Sequence, residues 1–477
     1  MRNLSLLTDL YEFTMGQGYF NENRGEEEAV FDVFFRPNKL ITYSVAAGVE
    51  QAVDYLCSLH FDEEDIAYLR SLGIFTQPYL NYLKNLTFTG SVYAVREGEI
   101  VFPYEPILTV KAPIIEAQIA ETAILTFLNH QTLIASKAAK ICAAAKGGAV
   151  MEFGLRRAQG ADAGIYGARA AIIGGCASTS NVYAGKLFSV PVSGTMAHSW
   201  VMSFPDELTA FRTYAKCFPE NCLLLVDTYD TLKSGVPNAV KTFEELKAAG
   251  YTPKGIRLDS GDLAYLSKEA RKMLDEAGFP KAKICASGDL DENSIRSLLS
   301  QGAKIDLWGV GTKLITGAEL PALGGVYKLA ALYENGKEVP KIKLSDTTEK
   351  ITNPGFKEVY RLYDKKTDMA IADYITLHGE TVNEEKELTL YHPVETWKKM
   401  TIRNFRVRNL RECVIENGVC RLEKQPLAVY SAYREAETKR FWEEYMRQDV
   451  PHIYKVDLSD RLYRLKKELM QKGKENV

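Results

Sequence analysis

Six short apolar stretches in the middle of the chain each end in residues that could do chemistry. Acids, arginines and glycine turns follow these stretches, together with one histidine. The stretches begin at Ala149, Ser189, Cys222, Gly255, Ala282 and Asp306. If their ends share one face, the pocket contains Glu152, Arg156, Arg157, His198, Asp227, Asp230, Arg257, Asp259, Asp262, Ser287, Asp289, Gly309, Gly311 and Thr312. Such a set suits a polyanionic ligand that carries a sugar.

His198 lies in the stretch VPVSGTMAHSWVMSF, between an apolar run and the start of a predicted helix. The residues alone leave three roles open for it: a packed or capping histidine, a general acid or base, or a phosphoryl acceptor. Metal ligation is disfavoured because no second histidine lies near it in the sequence.

The aspartates at the strand ends have a chemical and a structural interpretation. Asp227, Asp259 and Asp289 could hydrogen-bond ribose hydroxyls or stabilise a cationic sugar carbon. They could equally be helix caps and turn formers. For Asp289 the structural alternative is a cap on the helix that starts near Asp291.

Two arginines and a glycine-rich turn could bind anionic groups. Arg156 and Arg257 could hold a planar carboxylate through the guanidinium fork, or they could form exposed salt bridges. The sequence GVGT, from Gly309, could present backbone N–H groups to a phosphate or be an ordinary glycine turn.

The apolar stretches alternate with segments of helical character, predicted over 205–214, 239–249, 266–277 and 292–301. This order predicts βα units and a parallel sheet. Polar residues follow every strand rather than one switch point, which favours an irregular TIM-like α/β barrel over an open doubly wound sheet. Fewer than eight strands are recognised, so we expect an incomplete barrel.

The flanking regions differ from this repeat. Residues 1–113 predict a small α/β domain, with a strand over 28–36 and helices over 48–59 and 62–72. Residues 114–148 predict a helical connection, 149–325 the catalytic barrel, and 326–477 a mixed β/α covering region. Tyr11 lies near the start of a short N-terminal helix, where a packed surface tyrosine is the structural interpretation.

Composition excludes several classes of protein. The formal net charge is -3, and the lysines and arginines are spread along all 477 residues, so we expect no basic surface of the kind that binds nucleic acid. No uncharged apolar run is long enough to cross a membrane, and Asp9 and Glu12 interrupt any signal-peptide pattern. The eight scattered cysteines lack CxxC spacing, which disfavours zinc. We therefore expect a cytoplasmic protein with reduced thiols.

Six motifs, in order along nearly the whole chain, resemble the nicotinate phosphoribosyltransferase family. They are LLTDLYEFTMGQGYF, EFGLRRAQG, GTMAHS, VDTYDTLKSG, RLDSGDL and ASGDLDE. The resemblance implies transfer of phosphoribosyl from phosphoribosyl pyrophosphate to nicotinate, with pyrophosphate released, ATP hydrolysed and Mg2+ required. It also implies an irregular α/β barrel between an N-terminal α/β domain and a C-terminal region, and a homodimer with shared active sites.

The resemblance assigns a role to each reacting group. His198 would be phosphorylated by ATP. Asp259 and Asp289 would hold ribose hydroxyls and stabilise the oxocarbenium-like sugar, while Asp227 would bind substrate beside them. The 5′-phosphate would be received by Gly288, Gly311 and Thr312. It does not identify direct Mg2+ ligands.

The resemblance also implies how the pyridine is bound. Phe153 and Tyr11 would sandwich the ring, with Tyr11 supplied by the partner subunit. Arg156 would face the carboxylate or a nearby phosphate, with Arg257 beside it. In STSNVYAG, Asn181 stands where related nicotinamide-specific enzymes place an aspartate. A neutral residue there favours nicotinate over nicotinamide.

Other functions stay open at this point. A nicotinamide or quinolinate phosphoribosyltransferase would share the reaction class. The βα pattern alone also fits a barrel aldolase or isomerase acting on a sugar phosphate, although no strand end offers an obvious Schiff-base lysine. A non-catalytic nucleotide-binding scaffold is a third alternative, and simple turnover would distinguish it.

Overall fold

The computed structural model describes residues 2–37, 40–347, 350–395 and 397–475. The chain forms two compact units. Unit 1 comprises Met1–Leu133, Ala322–Gln425 and Ala432–Val477, and unit 2 comprises Ile134–Pro321 and Pro426–Ser431. Unit 1 therefore combines sequence from both ends of the chain, and the predicted domain limits stay predictions.

The helices of the described residues are given first, in chain order. They are α1 (Leu10–Asn21), α2 (Val49–Cys57), α3 (Glu63–Ser71), α4 (Gln77–Lys84), α5 (Ile114–Ile119), α6 (Glu121–Ala144), α7 (Ala161–Ile173), α8 (Val182–Phe188), α9 (His198–Met202), α10 (Glu207–Cys217), α11 (Val236–Ala248), α12 (Leu263–Glu276), α13 (Glu292–Ser300), α14 (Thr312–Ile315), α15 (Leu427–Thr438), α16 (Glu443–Met446) and α17 (Asp460–Glu475). No described helix combines the length and apolar character that a bilayer crossing requires.

The strands of the described residues follow in the same order. They are β1 (Glu28–Phe35), β2 (Ser44–Val45), β3 (Ser91–Val95), β4 (Ile100–Val101), β5 (Leu108–Pro113), β6 (Ala149–Glu152), β7 (Ser178–Thr179), β8 (Leu223–Leu225), β9 (Gly255–Leu258), β10 (Lys283–Ser287), β11 (Leu307–Val310), β12 (Gly325–Glu334), β13 (Lys337–Pro340), β14 (Lys357–Asp364), β15 (Ala370–Leu377), β16 (Leu388–Tyr391), β17 (Lys399–Ile402), β18 (Phe405–Asn409), β19 (Arg411–Glu416), β20 (Val419–Cys420) and β21 (Val456–Leu458).

Unit 1 contains two large sheets. The first has the order β13-β12-β1-β5-β3-β19-β20 and is antiparallel throughout. The second has the order β17-β16-β21-β15-β14-β18. Strand β1 is buried at every position except its first, which explains its nearly continuous apolar sequence. The mixed α/β N-terminal region and the C-terminal sheet region are thus both observed.

Unit 2 is built on a parallel sheet with the order β7-β6-β11-β10-β9-β8. The four helices predicted between the apolar stretches are observed as α10, α11, α12 and α13, with limits that differ by three residues or fewer. Aspartates fix three of their starts, because the carboxylates of Asp206, Asp262 and Asp291 accept backbone hydrogen bonds from the first turns.

The prediction of a strand at Ser189 was wrong. The segment makes a single bridge, between Val192 and Thr179, and the sixth strand of the sheet is instead the two-residue β7. Pro191 has no N–H to donate to a ladder, which limits regular pairing there. A two-residue strand is too short to produce a recognisable pattern.

A closed barrel is not found among the described residues. The hydrogen-bonded sheet of unit 2 has six strands and ends at β7 and β8. A regular barrel of this class needs eight parallel strands paired in a ring. The α/β class and the parallel order are therefore observed, and regular closure is not.

Candidate active site

His198 is held between the loops that follow two adjacent strands of unit 2. Its Nδ1 lies 3.2 Å from Oγ1 of Thr228, just beyond β8, and its Nε2 lies 3.8 Å from Oδ2 of Asp259, just beyond β9. The side chain is 39% exposed. Ala197, not His198, occupies the cap position of α9. The imidazole is therefore oriented but accessible, which does not fit a packed or capping histidine.

Asp227 and Asp259 join the ends of β8, β9 and β10. The backbone N–H of Asp259 donates to Asp227 Oδ2 at 2.8 Å, and the Ser260 hydroxyl donates to the same oxygen at 2.7 Å. The Ser287 hydroxyl, at the end of β10, donates to Asp259 Oδ1. Oδ1 of Asp227 is buried and has no hydrogen-bond partner. Because such an oxygen is costly to leave unpaired, it is suited to a ligand hydroxyl or a cation.

Gly288 and Asp289 form an exposed turn after β10, and both have positive φ, at 93° and 41°. A Cβ on Gly288 would lie 2.4 Å from the carbonyl oxygen of Asp259, so a larger residue does not fit without a shift. The N-cap of α13 is Asp291, in a capping box with Ser294. The structural alternative for Asp289, a helix cap, is therefore wrong. The turn borders a shallow groove of about 450 Å³.

Arg257 connects β9 to the segment that carries His198. One terminal nitrogen of its guanidinium donates to the carbonyl of Met196. Its Nε is buried and has no hydrogen-bond partner. Arg257 thus positions the backbone beside His198, a role that the sequence did not predict.

Phe153 and Arg156 follow β6. The ring of Phe153 lies against Gly309 of β11, and a Cβ added to Gly309 would lie 2.7 Å from the ring. The backbone N–H of Phe153 donates to the carbonyl oxygen of Val310 at 2.8 Å. Arg156 is exposed on a single 3-10 turn over Leu155–Arg157. The segment that follows β6 therefore carries both an aromatic ring, which lies against β11, and an exposed cation.

The sequence places Glu152 in the predicted pocket but indicates no role for it. This last residue of β6 is fully buried, and burial raises the pKa of its carboxyl. It accepts hydrogen bonds from the Gly154 N–H and, at 2.6 Å, from the Thr179 hydroxyl. Glu152 therefore fixes the turn that contains Phe153. An acid at the end of a buried apolar strand was the available signal.

Asn181 is a buried N-cap. Its Oδ1 accepts from the Ala184 N–H at 3.0 Å, and its Nδ2 donates to the Gly164 carbonyl at 3.1 Å. Its own N–H donates to the Thr179 hydroxyl at 3.0 Å. Both polar atoms of the side-chain amide are therefore used in contacts within the protein. The Thr179 hydroxyl links Asn181 to Glu152.

Gly311 and Thr312 lie at the start of the short helix α14, beyond β11. Thr312 is exposed, and a Cβ on Gly311 would lie 3.1 Å from the Phe153 carbonyl oxygen. Both residues therefore share the carboxyl edge of the sheet with Phe153. Within the described chain, no group of three or more His, Cys, Asp or Glu side chains could hold a metal by itself.

Tyr11 belongs to unit 1. It is the second residue of α1 and is 44% exposed. Burial, and then the charges of Glu121, Glu12 and Asp9, raise the pKa of its phenol, so the group stays protonated at neutral pH. Its predicted stacking against a pyridine ring stays a prediction.

Three family models match the chain. The nicotinate phosphoribosyltransferase N-terminal domain matches residues 6–129, the nicotinate phosphoribosyltransferase family matches 149–372, and the C-terminal domain matches 356–466. A nicotinate phosphoribosyltransferase of Bacillus subtilis is 47% identical over 476 residues, covering 100% of this chain and 97% of the relative. The chain belongs to the nicotinate phosphoribosyltransferase family.

Human members of the nicotinate phosphoribosyltransferase family agree in sequence and in structure. The human relative is 32% identical, covering 96% of this chain and 95% of its own length. A crystal structure of human nicotinic acid phosphoribosyltransferase superposes with a TM-score of 0.85 at 29% identity, covering 97% of this chain and 99% of that chain. The family match at 149–372 includes His198, Asp259 and Phe153.

Proposed function

We propose that this protein is a nicotinate phosphoribosyltransferase that makes nicotinate mononucleotide and pyrophosphate from nicotinate and phosphoribosyl pyrophosphate. The reaction salvages nicotinate for NAD. Membership of the family supports the reaction class. The observation that supports the residue assignment is the convergence of His198, Asp227 and Asp259 beyond β8 and β9.

The transfer step requires stabilisation of positive charge on the sugar. The pyridine nitrogen forms a bond to C1 of the ribose while the bond from C1 to pyrophosphate breaks. The carboxylates of Asp259 and Asp289 stabilise the developing cation and hold the ribose hydroxyls, and preorganised charge of this kind is often the largest catalytic contribution. The unpaired oxygen of Asp227 supplies a further acceptor for substrate.

ATP coupling proceeds through His198. Thr228 engages Nδ1, which leaves Nε2 to accept the γ-phosphoryl group. A nitrogen–phosphorus bond forms, the bond to ADP breaks, and the imidazole proton leaves. The added charge then organises the binding of phosphoribosyl pyrophosphate and the departure of pyrophosphate.

Mg2+ fits this donor set as an ion shared with substrate phosphates. The oxygen donors at the site are Asp227, Asp259 and Asp289, and one carboxylate oxygen of Asp227 has no protein partner. Mg2+ is commonly held by one or two carboxylates and completed by phosphate oxygens and water. Asp227, together with Asp259 or Asp289, would hold the ion, which would supply neutralisation of negative charge.

The remaining assignments concern substrate placement and assembly. Phe153 stacks on nicotinate, with Tyr11 from the partner subunit of a homodimer on the other face, and Arg156 pairs with the carboxylate. The partial exposure of Tyr11 supports a contact outside its own subunit. The 5′-phosphate lies against Gly288, Gly311 and Thr312. Asn181 acts on pyridine choice indirectly, because its amide is committed to α8.

An irregular barrel accounts for the geometry of unit 2. The segment after α8 hydrogen-bonds to Thr179 of edge strand β7 and later reaches Thr228, beyond edge strand β8, through His198. Arg257 of β9 also holds this segment, at Met196. These contacts support closure of the ring by a segment that is not a regular strand.

The test of this function is turnover with labelled ATP. Wild type should form nicotinate mononucleotide in preference to the nicotinamide or quinolinate products, and γ-labelled ATP should leave an acid-labile, base-stable label. His198→Ala should lose the label and the ATP stimulation, while His60→Ala, an exposed histidine of unit 1, should keep both. Label retained on His198→Ala, or a preference for nicotinamide, would contradict the proposal.

Shared active sites can be tested by subunit complementation. Tyr11→Ala and His198→Ala should each lack the ATP-stimulated activity of wild type. After co-refolding, mixed dimers should regain ATP-stimulated activity, because one of their two sites combines an intact Tyr11 from one subunit with an intact His198 from the other. If a mixed dimer is shown to form and does not regain this activity, Tyr11 and His198 belong to the active site of the same subunit.

A further inference from the structure

Two cysteines from distant parts of the chain meet on the surface of unit 1. Cys57 is the last residue of α2, and Cys420 ends the two-residue strand β20. Both are exposed, and α2 and β20 approach one another. Cys420 is close enough to Cys57 to raise the pKa of its thiol. Accessible paired thiols differ from the buried cysteines of the chain, which an oxidant cannot reach.

An ion pair holds the same two segments together. Asp54, one turn before Cys57, lies 2.6 Å from the ammonium of Lys424, which follows β20 by four residues. Among the strands of the described residues, β20 lies at the edge of its sheet and has β19 as its one neighbour, paired through Val419 and Cys420. A short edge strand can shift to meet the geometry of a covalent bond without breaking a longer ladder.

We propose that Cys57 and Cys420 are a redox site that forms a reversible disulfide between α2 and β20. Disulfides of intracellular proteins are usually transient and responsive to oxidants rather than structural. The bond would join the N-terminal and C-terminal segments of unit 1 covalently. The oxidant is a peroxide.

The oxidation balances in two steps. The Cys420 thiolate attacks a peroxide oxygen, the O–O bond breaks, and hydroxide leaves and becomes water, giving a sulfenic acid. The Cys57 sulfur then attacks the Cys420 sulfur, the S–O bond breaks and a second water leaves. Two electrons pass from the thiols to the peroxide. Burial and the neighbouring Cys420 raise the pKa of Cys57 to about 11, which makes Cys57 the second thiol to react.

The experiment uses the full-length protein, reduced and then treated with hydrogen peroxide. After alkylation, peptide mass spectrometry without reductant should show the Cys57–Cys420 linkage, with two thiols lost per chain and restored by dithiothreitol. Cys57→Ser should stop at a sulfenic acid on Cys420 that dimedone traps. Cys217→Ser, which removes an exposed cysteine of unit 2, should form the same linkage as wild type.

Two results would overturn the proposal. One is alkylation of both Cys57 and Cys420 at peroxide concentrations that already oxidise Cys217. The other is a linkage of either cysteine to a second chain in place of the intramolecular bond. Circular dichroism of the Cys57→Ser variant before oxidation establishes that it is folded, so each result bears on the thiols alone.

Discussion

Replacing Glu152 should weaken both the fold of unit 2 and the binding of nicotinate. Its carboxylate is the acceptor for the Gly154 N–H and the Thr179 hydroxyl, and all three groups are buried. Each buried donor left without a partner costs about 1–3 kcal/mol. Glu152→Ala leaves both donors without an acceptor, so the free energy of unfolding of this variant should fall by about 2–6 kcal/mol. Glu152→Gln keeps one acceptor oxygen and should lose about half as much.

The kinetic consequence follows from the turn that Glu152 fixes. Phe153 and Arg156 lie on or beside that turn, whereas His198 and Asp259 are held by other strands. Misplacement of a binding group by about 1 Å can cost roughly 100-fold in rate. For Glu152→Gln we expect KM for nicotinate to rise roughly 10-fold or more, with KM for phosphoribosyl pyrophosphate and labelling of His198 near wild type.

The assay combines urea unfolding with steady-state kinetics for each substrate. Glu244→Ala is the matched control, because this exposed acid of α11 should change stability by no more than about 0.5 kcal/mol. An Ala variant at position 152 as stable as this control would refute the energetic reasoning. Equal losses toward both substrates would refute the positioning of Phe153 by Glu152.

Two further predictions concern other contacts. Gly309→Ala should displace the Phe153 ring, which an added Cβ would meet at 2.7 Å, and raise KM for nicotinate several-fold; Gly18→Ala, with open space around it, should not. No change in KM would contradict this. Burial raises the pKa of Glu12 from 4.5 to about 7, so its stabilising contribution is present below pH 4.5 and lost as pH rises through 7. Glu12→Gln, which keeps an acceptor for Thr122, should therefore raise the melting temperature at pH 8 more than at pH 5, and equal shifts at both pH values would contradict the assignment.

The predictions of secondary structure and of site residues were most accurate where a single strand or helix has a recognisable local sequence pattern. Strands β8, β9 and β10 are short apolar runs. Asp227 and Asp259 follow the first two, and Ser287 ends the third. The start of α12 was predicted less well: Asp262, which the sequence analysis assigned to the pocket, caps the helix through the Tyr265 N–H, so α12 begins at Leu263 rather than at 266.

The failures arose where structure depends on distant contacts. The bond from Thr179 to Glu152 crosses 27 residues and involves a two-residue strand, so no local period reveals it. The apolar run at Ser189 has the composition of a strand but contains Pro191, and it contributes only one bridge. The contact of Arg257 with the carbonyl of Met196 spans 61 residues and was likewise not predictable from residue type, while substrate binding by Arg257 stays a prediction.

The position of β1 has a consequence for synthesis of the protein. This apolar strand pairs with β5 on one side and with β12 on the other. Residues 114–324 separate β5 from β12 in the chain. A ribosome adds roughly 5–20 residues per second, so β12 is synthesised roughly 10–40 s after β5, and until then one edge of β1 has no native partner strand. During translation its edge is therefore open to the wrong partner, and truncated chains that end before β12 should aggregate or engage chaperones.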